Sequence, residues 1–344
     1  MEAFYLENYY MSSGITDVPG ITVGHWTDST AATGCTVVLC GSQTVGGVDV
    51  RGSSPGTRET DILAPDRRVE TVNAIMLSGG SAYGLAAADG AMKYLEERGV
   101  GVIVGSNVVP IVSSAIIFDL GIGDGSVRPR LESGYEACQR ASHGPTEQGS
   151  VGAGTGATVG KVFGAKRAVK GGLGTSSIHL GNGLMVGALV VVNAIGSVHD
   201  PNSGQLIAGP RTEDNCMASS MEALLSGDAH NIPGPGSNTT IGIVATNAKL
   251  TKAQASRLAS SAHDGLALAV RPSHLVGDGD TMFALSTGDQ SSGVRSGREA
   301  QESFNRLIAA AIRCTSLAII NGVKNAEGMH GVPSLDDLLK SSER

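Results

Sequence analysis

Aromatic residues are scarce in this chain, 3% of its 344 positions, so a stacking platform for single-stranded nucleic acid has few rings to draw on. Charge is scarce as well: Asp, Glu, Lys and Arg make up 17%, and the 25 basic residues form no long run. Arg67-Arg68 and Lys166-Arg167 are the densest basic places. With a formal net charge of −7 the sequence lacks the basic stripe a nucleic-acid partner requires, and its acidic balance speaks for solubility. Cysteine is limited to Cys35, Cys40, Cys138, Cys216 and Cys314, with no Cys-x-x-Cys pair. That excludes a zinc ribbon or thioredoxin motif and makes a reducing compartment the simpler expectation. The eight histidines contain no His-Glu-x-x-His, which argues against a metal hydrolase. Long apolar runs are also missing. The best, Leu184 to Ile195, is interrupted by Gly187 and Asn193 and is too short for a bilayer. Met1 to Gly14 does not read as a secretory leader, and Met11 is an alternative start that makes residues 1–10 an extension. The expectation is a soluble cytoplasmic protein without nucleic-acid or membrane partners.

What is abundant is glycine, 49 residues set among Val, Ile and Ala rather than Ser and Pro, which points to tight turns inside a packed fold and not to a linker. The hydrophobic fraction of 41% supports a sizeable core. Residues 21–50 read as strands and Arg51 to Asp61 as a loop of turn formers. Ala74 to Leu77 is a buried-strand candidate leading to a helix over Ala82 to Arg98, with Ser81 as its expected N-cap. Leu184 to Asn193 has the pattern of a strand buried on both faces; residues 204–235 read as a polar loop. Thr240 to Thr246 and Thr281 to Ser286 are strands by β-branching. Lys252 to Val270 and Glu299 to Ile320 are helices, with stripes at Leu258, Ala262, Leu266 and at Phe304, Ile308, Ala311, Thr315. No fixed-period repeat occurs, and the mixture predicts an α/β or α+β layered fold in a single domain.

The most informative junction runs from Gly234 to Thr246, where a Gly- and Pro-rich loop meets a strand with Thr239 at the boundary. A threonine hydroxyl is a weak nucleophile unless a base assists it. At a chain N-terminus the free α-amine, titrating near ~8, supplies that base. Cutting the Asn238–Thr239 bond creates such a residue, and the hydroxyl can make the cut itself by attacking the preceding carbonyl. Taken alone, Asn-Thr-Thr at a loop–strand junction is ordinary, and it also matches the glycosylation sequon.

The ordered blocks around it are more specific. They are Ile-Thr-Asp-Val-Pro-Gly-Ile-Thr-Val-Gly-His (15–25), Gly-Thr-Arg-Glu-Thr-Asp (56–61), Ser-Gly-Gly-Ser-Ala-Tyr-Gly-Leu (78–85), Gly-Lys (160–161), Val-Val-Asn (191–193), Asn-Thr-Thr (238–240) and Asp-Gly-Asp-Thr (278–281). On these blocks the chain resembles the DmpA-like L-aminopeptidase / D-esterase family, which also holds β-peptidyl aminopeptidases and the nylon-oligomer hydrolase NylC. The resemblance implies a four-layer α-β-β-α sandwich of the N-terminal-nucleophile-hydrolase-like type. It further implies self-cleavage into 1–238 and 239–344, fragments that stay associated, assembly as a tetramer of heterodimers, and no metal or organic cofactor. The implied substrate is a small peptide, amide or oligoamide cut beside a free amino group. Thr239 matches the nucleophile, and Lys161, Asn193, Asp278 and Asp280 match polar site residues. Asn193 would donate to an oxyanion and Lys161 would lower the Thr239 amine pKa or steady negative charge. Of the aspartates, one would hold Thr239 and the other a substrate amine. Phe118 stands where the family carries Tyr, which unsettles the substrate class, and Tyr83 is a further candidate for lining the site.

Other motifs fail on spacing. Gly79 to Gly84 lacks the glycine a nucleophile elbow needs two residues after its Ser. Gly156 to Val162 is too short for a phosphate loop and ends in Val162. Gly181 to Gly187 misses the dinucleotide pattern, and His263 reads as a structural helix residue. The alternatives to an aminopeptidase-like hydrolase are an endo-type hydrolase of ω-amino-acid (6-aminohexanoate, nylon) oligomers, an acyltransferase of the ornithine acetyltransferase kind, and a non-catalytic binding protein of the same fold.

Overall fold

The computed structural model describes residues 11–12, 14–234, 236–290 and 297–342. Its frame is built, in chain order, from β1 (Ile21–Asp28), β2 (Thr33–Cys40), β3 (Val45–Val50), β4 (Ala74–Ser78), α1 (Ala87–Glu96), β5 (Val112–Ile116) and α2 (Leu131–Gln139). There follow β6 (Gly172–His179), β7 (Met185–Asn193), β8 (Thr239–Ala248), α3 (Lys252–Ala269), β9 (Thr281–Gln290) and α4 (Arg298–Lys324). Two mixed sheets result. One has the order β1-β2-β4-β5 with the short strand Thr57–Arg58 at its edge; the other runs Met11–Ser12, β6, β7, β8, β9, β3.

The alternation of side chains explains the layering. Along β7, Leu189 and Val191 face one core while Val190 and Val192 face another. The first core lies between the sheets, where Val38, Ile75 and Leu77 meet Leu189, Ile241, Ile243 and Phe283. The second lies between the six-stranded sheet and α3 and α4, through Leu258, Ala262, Leu266, Ala311 and Ala318. A third packs α1 and α2 on the five-stranded sheet through Val37, Met76, Ala88, Ala91 and Ala137. The order is therefore helix, sheet, sheet, helix, the four-layer α-β-β-α arrangement that the family resemblance implies. Helix α4 is long and apolar enough to cross a bilayer, but Ala311, Cys314, Ala318 and Ile319 on it are buried in the second core. Gly174 lets α4 press on β6: a Cβ there would stand 2.0 Å from the Ala318 carbonyl oxygen.

Two local expectations are corrected. Ser81 does not cap a helix; it has φ +54° and opens a 3₁₀ segment, Ser81–Ala86, before α1 begins. The Asp119 carboxylate takes the Gly80 N–H at 2.7 Å, so a distant side chain shapes this turn. Residues 204–235 are not all loop. They contain a strand, Leu206–Ala208, and a helix, Ser220–Ser226, whose N-cap Ser219 accepts the Glu222 N–H. That helix is short and buries mainly Ser220 and Ala223, so its apolar signal is weak.

Candidate active site

Strand direction brings the site together. β8 pairs with β9 in parallel, so both strands begin at one end of the sheet, with α3 as the crossover. β7 is antiparallel to β8, so it ends where they begin, and Asn193 stands opposite Thr239. The turn before β9 lies against the residue before β8, with Asn238 bridged to Asp278. Lys161 reaches the same end because its N–H donates to the Ile195 carbonyl just after β7.

The structure thus gathers Thr239, Lys161, Asn193, Asp278 and Asp280, all buried at 3% exposure or less. The Thr239 hydroxyl donates to the carbonyl oxygen of Asn238 at 2.5 Å. That oxygen also accepts the Gly279 N–H at 2.9 Å, so the carbonyl of the 238–239 bond is already held by a fixed donor. A Cβ at Gly279 would stand 2.8 Å from Thr239 Oγ1, so only glycine fits beside the hydroxyl.

Lys161 is not a solvated loop lysine. Its Nζ donates to the Asn193 carbonyl (2.9 Å), Asn193 Oδ1 (2.8 Å) and the Ser237 carbonyl (3.2 Å). Burial pulls its pKa down to about 7, with the Asp278 carboxylate opposing. Asn193 is fixed on both sides. Its Oδ1 accepts the Thr158 N–H at 3.1 Å, and its Nδ2 donates to the carbonyls of Phe118 (3.3 Å) and Ser237 (3.5 Å). The Ser237 carbonyl, one peptide before the junction, is therefore shared by an ammonium and an amide.

The two aspartates are bound differently. Asp280 Oδ1 accepts the Thr240 N–H at 2.7 Å, while Oδ2 accepts both the main-chain N–H (3.1 Å) and Nδ1–H (2.9 Å) of His274. Asp278 accepts only the Leu275 N–H on Oδ2, at 2.7 Å, and its Oδ1 is buried without a partner among the described residues. Burial, then repulsion from Asp280, pushes the Asp278 carboxyl up to about 7.

A cavity of about 400 Å³ opens beside this cluster, within the range of small-ligand pockets. Phe118, Ile122, Pro233 and Val332 supply its apolar walls, and Lys161 and Ser237 connect it to the buried cluster. Tyr83 is not among the lining residues. Its ring is 61% exposed on the 3₁₀ turn, with the Arg128 guanidinium 3.9 Å from the ring centroid. The residues that sequence reasoning missed are Gly279, His274 and Ser237. The Asp-Gly-Asp spacing marked the first, whereas no local pattern marks the other two.

Comparison with known proteins places the chain in a family and matches its fold. The model of peptidase family S58 matches residues 13–335. An uncharacterized aminopeptidase of Mycobacterium tuberculosis is 43% identical, over 95% of this chain and 98% of that protein. A 6-aminohexanoate-oligomer endohydrolase of Kocuria is 29% identical, over 79% of this chain and 74% of its own length. The L-aminopeptidase D-Ala-esterase/amidase of Ochrobactrum anthropi, described as a variant of the Ntn hydrolase fold, superposes with a TM-score of 0.69 at 19% identity, covering 96% and 94% of the two chains. With the family model spanning nearly all of the described residues, the chain belongs to peptidase family S58, a hydrolase family of the aminopeptidase type.

Proposed function

We propose that this chain cleaves itself between Asn238 and Thr239 and then acts, through the Thr239 hydroxyl, as an aminopeptidase-like amide or ester hydrolase. The observation that carries this reading is the junction itself: a buried threonine hydroxyl against the carbonyl of the preceding peptide, whose oxygen Gly279 N–H holds. In the first step Oγ1 bonds to the Asn238 carbonyl carbon and its proton passes to the Thr239 nitrogen as the C–N bond breaks. This leaves an ester and a free α-amine. Water then cleaves the ester, giving the Asn238 carboxylate and restoring the hydroxyl. In the mature enzyme the α-amine takes the hydroxyl proton when Oγ1 attacks a substrate carbonyl, and returns a proton to the leaving amine. Asn193 and Lys161, no longer engaged with Ser237 once that segment leaves, become donors for the developing oxyanion. Asp280 holds the start of β8 in place through the Thr240 amide. Asp278, with one free carboxylate oxygen, is the counter-charge for a substrate ammonium.

Intact mass under denaturing conditions tests the first step. The wild type should give fragments 1–238 and 239–344, and Thr239→Ala should remain whole; an intact wild-type chain removes the reading. Rates on free and N-acetylated amino-acid p-nitroanilides test the ammonium requirement, and equal rates would refute it. A second reading, hydrolysis of ω-amino-acid oligoamides, draws support from the Kocuria relative and from the apolar walls beside Phe118. Faster turnover of 6-aminohexanoate oligomers than of α-amino-acid amides would favour it.

A further inference from the structure

His274 lies outside the five residues discussed so far as the chemical cluster, yet two of its donors converge on one of them. Its main-chain N–H and its Nδ1–H both bind Oδ2 of Asp280, at 3.1 and 2.9 Å, while the Thr240 N–H binds Oδ1 at 2.7 Å. Both oxygens of Asp280 are thus gripped, and the carboxylate is tied to the amide next to the nucleophile. His274 achieves this from a left-handed backbone position, φ +60°, which is uncommon outside glycine and is adopted mainly by Asn, Asp and His among the other residues. The ring stands edge-on to that of His263, with centroids 4.9 Å apart, and the His263 Nε2–H donates to the Asp49 carbonyl at 3.0 Å. His263 is wholly buried in α3, so the imidazole of His274 rests on a fixed wall.

We propose that His274 is a positioning residue of the threonine centre: its Nδ1–H sets the rotation of the Asp280 carboxylate, and through the Thr240 N–H the placement of the Thr239 hydroxyl. The proposal rests on the self-cleaving reading above. Among the described residues, the hydrogen bonds of His274 to the cluster run to Asp280, and His274 does not line the cavity.

Three substitutions separate the donor from the backbone. His274→Gly keeps the left-handed conformation and removes the side-chain donor. His274→Asn keeps that conformation and places an amide N–H near the position of Nδ1. His274→Gln places its amide near the position of Nε2 instead. The readouts are the cleavage time course of freshly synthesised full-length chain and, for cleaved protein, kcat and KM on an amino-acid p-nitroanilide. His274→Gly should slow cleavage and lower kcat by about 10-fold or more with KM little changed, as expected for coupled neighbours. His274→Asn should recover most of that loss and His274→Gln should not. In an Asp280→Asn background, His274→Gly should add no further loss. If wild type and His274→Gly cleave and turn over alike, or if Asn is as slow as Gln, the proposal is overturned while the self-cleaving reading stands. If His274→Gly does not fold, the Asn and Gln variants decide by the same criterion. A wild-type chain that never cleaves removes the proposed function, and this assignment with it.

Discussion

Asp278 and Lys161 belong to one buried cluster and are perturbed in opposite directions. The Asp278 carboxyl, raised to about 7, binds its proton more tightly in the native chain than in the unfolded one. Its contribution to stability is therefore complete below the ordinary carboxylate range and is lost as pH rises through about 7. Lys161, lowered to about 7, behaves in the reverse sense: its contribution is present above the ordinary lysine range and is lost as pH falls toward about 7. In a Thr239→Ala background, which removes cleavage as a variable, Asp278→Asn should raise the denaturation free energy more at pH 8 than at pH 5, by on the order of 1 kcal/mol. Urea titrations at the two pH values check the sign. Gly279 makes a sharper steric case. Alanine there drives a methyl group against Thr239 Oγ1 and the Ser54 carbonyl oxygen, each 2.8 Å away. Gly279→Ala should leave the chain uncleaved by mass and cost roughly 1–3 kcal/mol of stability. At this scale the sequence named the chemical groups by resemblance, but not the donor that holds the Asn238 carbonyl, because a main-chain N–H carries no residue signature.

The elements were readable where period and length agreed. Leu184 to Asn193 was expected as a strand buried on both faces, and β7 over Met185–Asn193 is buried throughout. The two long helices lie within a few residues of their expected ends, and Thr251 caps α3 by accepting the Gln254 N–H in a capping box. Thr251→Ala should therefore lower stability by about 1 kcal/mol without altering cleavage. The α3–α4 contact depends on Gly265, where a Cβ would stand 2.3 Å from the Ile312 carbonyl oxygen. Gly265→Ala should weaken thermal stability by about 1–3 kcal/mol, read by calorimetry, while fragments still form. Expectation failed at Ser81 and in the 204–235 segment. In the first case a carboxylate far along the chain, Asp119, binds the turn amide. In the second, the Ser220–Ser226 helix is too short for a periodic stripe.

At the scale of the whole molecule, residues 239–344 supply β8, β9, α3 and α4, while residues before the junction supply β7 and β3 on either side. Cleavage would therefore leave the smaller fragment inserted between two strands of the larger one, with α3 and α4 buried in a common core. Both fragments should co-elute in native gel filtration and separate only in denaturant; separation under native conditions would contradict this arrangement. The native mass also tests the proposed assembly into a tetramer of such pairs.

The amino-acid sequence alone determined what periodicity and composition can encode: the strands, the long helices and the layered α/β class; the candidate site residues came from the family resemblance carried by its ordered blocks. Only the tertiary structure decided how they meet. The parallel pairing of β8 with β9 places Asp278, Gly279 and Asp280 against Asn238 and Thr239, and the antiparallel β7 delivers Asn193 to the same edge. Burial then turns an unremarkable loop lysine into a group titrating near 7. Tyr83, drawn toward the site by its glycine-rich block, instead lies under Arg128 in solvent. Strand pairing is a long-range property set by core packing of both sheets, and solvent exclusion follows from it, so neither is written in a local stretch of sequence.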